Sequence, residues 1–230
     1  MPGVFFYIYK NMKLRFLITS LLFSVISAAA SDLERDDGFT HNRAAVSGSL
    51  TSVDTWQLDF SYHYMFCKYI GAGCAIGAWK QILHDGYPSG HGWSLDDDDS
   101  KITNLYLRPS IVINSPILFK IRDAAFGIMA EPGMMMCIPY ESVTIDIIHD
   151  LITTDYRHVS SNRGQWLSLD CRAGLCVNVY RCNFIIGYEI SNLDIFSRRR
   201  HMSYDGISFD RFYDRSNGFQ GAFASLTYNF

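Results

Sequence analysis

The sequence predicts an all-β fold: an eight-stranded antiparallel up-and-down transmembrane β-barrel, preceded by a cleaved signal peptide. Three observations predict it. Long segments alternate apolar and polar residues with a period of two, short and long connections alternate along the chain, and every second residue back from Phe230 to Ala222 is apolar.

Composition narrows the alternatives. Of the 230 residues, 15% are aromatic and only 19% charged, which excludes a disordered or acidic solvating chain. No uninterrupted apolar run reaches about 18 residues, so helical membrane spans are excluded. A net charge of −3 argues against a nucleic-acid partner, which would require a basic face.

Lys13 and Arg15 precede the apolar run 16–26, which ends in Ser27-Ala28-Ala29-Ala30. This is the layout of a secretory signal, basic then apolar then small, and places residues 1–30 in a signal peptide and 31–230 in the barrel domain. Met12 is an alternative start to Met1. Export sets the context for Cys67, Cys74, Cys137, Cys171, Cys176 and Cys182. Their spacings match neither a zinc knuckle nor a redox Cys-x-x-Cys, so they read as small wall residues rather than disulfides. No metal and no cofactor is expected.

The strands follow in order at about 38–50, 56–66, 69–82, 102–115, 118–137, 165–178, 183–193 and 217–230. In the second, Trp56, Leu58, Phe60, Tyr62, Tyr64 and Phe66 oppose Gln57, Asp59, Ser61, His63 and Met65. Eleven residues at strand rise span about 35 Å, enough for a tilted bilayer crossing. The third carries Gly71, Gly73 and Gly77 on one face, which suits a crowded interior. Leu105, Leu107, Ile111 and Ile113 continue the outward face, followed by Leu167, Leu169 and Ile186. Asn42-Arg43 interrupts the first strand, and Pro132-Gly133 is expected to mark a bulge or the membrane exit. The connections Cys67-Lys68, 114–116 and 180–183 are tight, whereas 83–101, 139–163 and 194–217 read as long polar loops. Short periplasmic turns opposite long extracellular loops describe an outer-membrane barrel, and eight is the even number that closes it.

The terminal strand carries Leu226, Tyr228 and Phe230 alternating with Ser225, Thr227 and Asn229. This resembles the C-terminal assembly signal of the small eight-stranded bacterial outer-membrane β-barrel family. The resemblance implies residence in the outer membrane of a Gram-negative cell, a porin-like architecture and recognition by the barrel assembly machinery. It also implies contact with outer-membrane lipids and lipopolysaccharide. A monomer is expected. Trp56, Tyr62, Tyr64, Tyr188, Tyr228 and Phe230 supply interfacial aromatics.

Inward positions hold Asp59, His63, Arg108, Glu131, Asp170, Arg172 and Glu189. Eight strands leave room only for side chains or one small ligand, so a packed lumen with a charge network is favoured over a pore. Arg172 is expected to meet Glu131 or Glu189, because buried charges persist only when paired. The functional reading is a structural or interaction role at the cell surface, not an enzyme. One enzymatic alternative exists: His158-Val159-Ser160 resembles the His-x-Ser element of outer-membrane lipid A deacylases. Here Ser161 intervenes where that family has Asn, Asp170 falls two short of its acid, and position 172 is Arg. A second alternative is a soluble exported lipocalin-like barrel with its apolar face inward. Asp96–Asp99 lacks calcium-loop spacing and reads as a solvated loop. Arg198, Arg199 and Arg200 are candidates for lipopolysaccharide phosphates at the outer rim.

Overall fold

A computed structural model describes residues 39–82, 86–149 and 152–230; the predicted signal peptide lies outside them. In chain order the strands are β1 (Asn42–Thr51), β2 (Thr55–Met65), β3 (Ile70–Gln81), β4 (Ser89–Gly90), β5 (Trp93–Leu95), β6 (Thr103–Asn114), β7 (Phe119–Ile121), β8 (Ala124–Cys137), β9 (Glu141–His149), β10 (Ile152–Ser161), β11 (Leu167–Val179), β12 (Cys182–Ser191), β13 (Ser203–Tyr204), β14 (Ile207–Ser208) and β15 (Phe219–Asn229). One short helix, α1 (Ser197–Arg200), precedes β13.

β1, β2, β3, β6, β8, β11, β12 and β15 form the barrel. Each pairs antiparallel with the next, and β15 pairs back onto β1, so the sheet has no open edge. Starting at Trp56, the register runs through Leu50, Ala222, Tyr188, Ala173, Ala130, Ile113 and Ile70. Ile70 bonds Phe66, so one circuit returns to β2 ten residues along from Trp56. A stagger of that size across eight strands tilts them by roughly 40°. Eleven-residue strands are therefore long enough to cross.

Turn residues fit the hairpins. Asp54 (φ 52°), Arg122 (φ 52°) and Tyr180 (φ 54°) take the left-handed conformation in the connections before β2, β8 and β12. Gly77 sits where a Cβ would collide with the Tyr106 ring and the Asp59 side chain, and its absence lets Tyr106 reach Asp59.

Two sequence expectations change. The strand expected over 118–137 is broken at Arg122-Asp123, and β7 folds back on Ala124–Phe126 as a small hairpin at the short-turn end. Pro132-Gly133 marks no bulge. β8 keeps one register against β11 from Met136 to Ala124 and one register against β6 on both sides of the prolines Pro109 and Pro132. A proline lacks the ladder N–H but can hold an extended φ, so bonds are lost there without a slip.

The larger correction concerns the long loops. Segments expected to be polar connections fold into a second, four-stranded sheet in the order β10-β9-β5-β4 above the barrel. Trp93, Leu95, Val143, Ile145, Met202, Phe209 and Tyr213 form a buried core beneath it, drawn from all three loops. A second cluster, including Trp79, Tyr106, Ile102, Leu193, Ile195 and Phe219, closes the barrel mouth below this cap, and Phe196 packs against both.

Candidate functional site

Alternation puts every charged residue expected inside on the lumen face, and the barrel's curvature gathers them into two clusters. In the first, Arg172 Nε donates to Glu189 Oε2 at 2.9 Å and Nη2 to Asp59 Oδ2 at 2.7 Å. Tyr106 Oη adds a bond to Asp59 Oδ2 at 2.9 Å, and Ser49 Oγ one to Glu189 Oε1 at 2.7 Å. The Phe223 ring covers the guanidinium at 5.6 Å. In the second, Arg108 Nε donates to Asp170 Oδ2 and Nη1 to Glu131 Oε1, both at 2.5 Å. Ser110 Oγ donates to the same Glu131 oxygen at 2.8 Å, and His63 Nε2 lies 3.0 Å from that hydroxyl and 3.4 Å from Glu131 Oε1. Of the two partners anticipated for Arg172, Glu189 makes the contact. Glu131, directly opposite it in register, pairs with Arg108 instead.

Met65, Val112, Met129, Ile185 and Phe223 fill the lumen on the short-turn side of these clusters. A cavity of about 20 Å³ bounded by Arg43, His63 and Glu131 is left there, room for about one water. The geometry can hold charge rigidly.

Outward-facing residues decide what surrounds the barrel. Leu58, Phe60, Ile76, Leu105, Ile111, Leu169, Leu175, Ile186 and Leu226 are all exposed, Phe60 at 58% and Leu169 at 65%. Trp56 lies toward the long-loop rim, and Tyr62, Tyr64, Tyr228 and Phe230 toward the short-turn rim. A closed sheet with an apolar exterior and a charged interior has lipid outside. It is a transmembrane β-barrel of outer-membrane type. The lipocalin-like alternative required the opposite facing and is overturned by this surface.

The cap places the remaining candidates. Arg199 lies at its centre: Nε donates to Glu141 Oε1 at 2.6 Å, and Nη1 to Tyr213 Oη at 3.1 Å and to Ser100 O at 3.2 Å. One side chain thus ties together all three loops. Burial alone would lower its pKa, but Glu141 and Tyr213 hold it above the ordinary value. Burial also pushes the Tyr213 phenol up. Arg198 donates to Ile138 O, and Arg200 pairs with Asp194 and donates to Asp214 O at 2.8 Å. The three arginines expected to meet lipopolysaccharide phosphates are therefore turned into the cap. The basic run looked like a surface patch because Ile138 O and Glu141, which engage Arg198 and Arg199, lie about sixty residues away. Glu141, Tyr213 and Ser100 were not anticipated; the alternation of Val143, Ile145 and Ile147 with Thr144 and Asp146 is the signal that could have exposed β9.

His158 and Ser160 share the outer face of β10, both exposed, and His158 Nδ1 lies 3.4 Å from Thr144 Oγ1. Asp170 belongs to the lumen cluster and does not accompany them. The Asp96–Asp99 run is anchored rather than simply solvated, since Asp99 Oδ2 accepts from Thr144 N at 2.6 Å. No metal-holding group of His, Cys, Asp or Glu side chains forms among the described residues. The six cysteines are free thiols, with Cys137 and Cys176 buried and Cys182 exposed.

No family model matches the sequence, and no curated protein matches it. Among solved structures, the barrel is similar to the N-terminal β-barrel domain of Pseudomonas aeruginosa OprF, at 10% identity and a TM-score of 0.40, covering 82% of this chain and 96% of that one. It is similar to Neisserial surface protein A at 11% identity and a TM-score of 0.38, with 82% and 94% covered. A major outer membrane protein of Thermus thermophilus gives 12% identity and a TM-score of 0.43, with 82% and 99% covered. Each is a likeness of fold alone.

Proposed function

We propose that this protein is an outer-membrane platform: a barrel with a sealed, charged lumen that holds a folded cap at the cell surface for structural or interaction work. The observation that carries this reading is the division of labour between its two halves. Two arginine clusters and an apolar layer of Met65, Val112, Met129, Ile185 and Phe223 occupy the lumen. The long loops, which in a simple scaffold could be short, build a sheet with its own apolar core. β10 is an edge strand of that sheet, with its side chains from Thr153 to His158 exposed.

Planar bilayers test it. The wild-type barrel is expected to insert without current steps, because ions cannot pass side chains packed to protein density. Steady single-channel conductance by the wild-type protein would overturn the platform reading in favour of a pore. Comparison of lipid A by mass spectrometry in cells carrying wild type or Ser160→Ala completes the test. Unchanged acylation is expected, and a serine-dependent loss of acyl chains would make the protein an enzyme.

A further inference from the structure

The short-turn end of the barrel holds a feature that the platform reading does not use. A cavity of about 490 Å³ opens there, within the size range of small-molecule sites. Its lining includes Phe39, Tyr69 and the polar row described next, and no Asp or Glu among the described residues.

Four consecutive strands contribute that row. Asn178 on β11 stands opposite Asn183 on β12, and Asn229 on β15 stands opposite Arg43 on β1. All four face the lumen by parity. Their hydrogen-bond polarity is forced. Arg43 Nε can only donate, so the atom of Asn229 that it meets at 2.9 Å is Oδ1. The amide nitrogen of Asn229 then points the other way, to Arg181 O at 3.1 Å and Asn183 Oδ1 at 3.2 Å. Arg181 O can only accept, which fixes the same orientation independently. Asn183 therefore presents its oxygen to Asn229 and its NH₂ group to the cavity. Arg43 makes no ion pair among the described residues. Glu131 acts on it through space only. Lys68 also lines the cavity, and Lys120 on β7 with Arg122 and Arg181 on turns lie at the same end of the barrel, against Asp123.

A concave site with aimed N–H donors, a guanidinium and no carboxylate among its described lining residues is complementary to negative oxygen. We propose that this vestibule binds a small oxyanion, a phosphate or a carboxylate, from the periplasmic side. Two sources share that chemistry: a free periplasmic anion, and the chain's own Asp36 and Asp37, which precede Phe39 in sequence.

Calorimetry on the mature chain refolded in a non-ionic maltoside detergent, titrated with inorganic phosphate and separately with citrate, tests the site. Saturable binding with Kd about 1 mM or tighter is expected for at least one of them. Asn183→Asp keeps the acceptor that Asn229 needs and replaces the donor with a negative oxygen, so binding should weaken at least about tenfold, a loss of about 1.4 kcal/mol. Arg43→Gln should weaken it similarly and Arg43→Lys less. Should Arg43→Gln fail the heat-modifiable gel shift of a folded barrel, Asn183→Asp alone decides. Asp36→Asn with Asp37→Asn separates the sources. Tighter binding identifies the chain's own carboxylates as competitors for the site, and unchanged binding identifies a free anion as the occupant. Absence of saturable binding in both wild type and this double variant, or equal binding by Asn183→Asp and wild type, overturns the proposal.

Discussion

Arg172 in the lumen and Arg199 in the cap are almost equally buried, at 2% and 3% exposed, and each bridges partners from separate segments. Arg172 reaches Glu189 on the strand beside it and Asp59 across the lumen, positions dictated by strand parity and barrel stagger. Arg199 reaches Glu141, Tyr213 and Ser100 from loops whose relative placement no sheet register dictates. The lumen cluster is therefore a consequence of the barrel, whereas the cap cluster helps to create its own sheet. Removing a lumen arginine should damage a structure that is otherwise determined, and removing the cap arginine should let one part come loose.

The largest effect is expected from Arg172→Leu. It leaves Asp59 and Glu189 buried and unpaired, at a cost of about 3–5 kcal/mol. Urea unfolding of the barrel in lipid vesicles measures this as a lowered midpoint with the slope retained. A loss below about 1 kcal/mol would mean that water reaches the cluster, and the contrast with the cap would fail.

Next comes the outer face. Phe60→Lys puts a cation into lipid and should cost about 2–4 kcal/mol if the residue lies near the bilayer midplane. In the same vesicles, Ser47→Ala, on the lumen side of β1, serves as the neighbouring comparison and should cost about 1 kcal/mol for its hydrogen bond to Ser225. Equal costs would contradict the assignment of lipid to the apolar face.

Arg199→Leu is smaller and local. It strands the buried Glu141 in the cap, for about 1–3 kcal/mol. Limited proteolysis should cut within the three long connections while the heat-modifiable gel shift of the barrel is retained. If the barrel is lost along with the cap, the two regions form one cooperative unit and the comparison dissolves.

The same contrast explains what could be read from the sequence. Trp56 to Phe66 displays its inside and outside in one glance, because a strand's side chains alternate whatever its neighbours are. Hence the eight crossings and the inward set around Asp59 and Arg172 were legible. β7 was not, since Phe119 and Ile121 continue the outward alternation through a turn that only the left-handed Arg122 reveals. The cap was hidden for a different reason. Its core takes Trp93, Ile145 and Phe209 from segments about fifty or more residues apart, and period-two patterning in nine residues of β9 does not say what covers it. Arg198, Arg199 and Arg200 likewise look solvated until Ile138, Glu141 and Asp194 are brought beside them. The vestibule row was invisible as well, because the Asn178–Asn183 pair gains Asn229 only when β15 joins β12, and Arg43 only when β15 closes onto β1.

The smallest effect separates the two regions by pH rather than by mutation alone. Burial raises the pKa of Tyr213 in the folded cap above the value of about 10 that it has when the cap is open. Tyr213 thus favours the closed cap fully below that pH. As pH rises past 10, the open form loses its phenol proton first, so the contribution falls and is gone once the folded phenol ionises too. Loop proteolysis should accordingly accelerate above about pH 10 while the barrel's gel shift holds. Tyr213→Phe should remove that pH dependence and lose about 1 kcal/mol at neutral pH, the bond from Arg199. A wild-type cap that is cut at the same rate at pH 8 and pH 11 would mean that Tyr213 ionises alike in both forms, and that Arg199 is held by Glu141 and Ser100 without it.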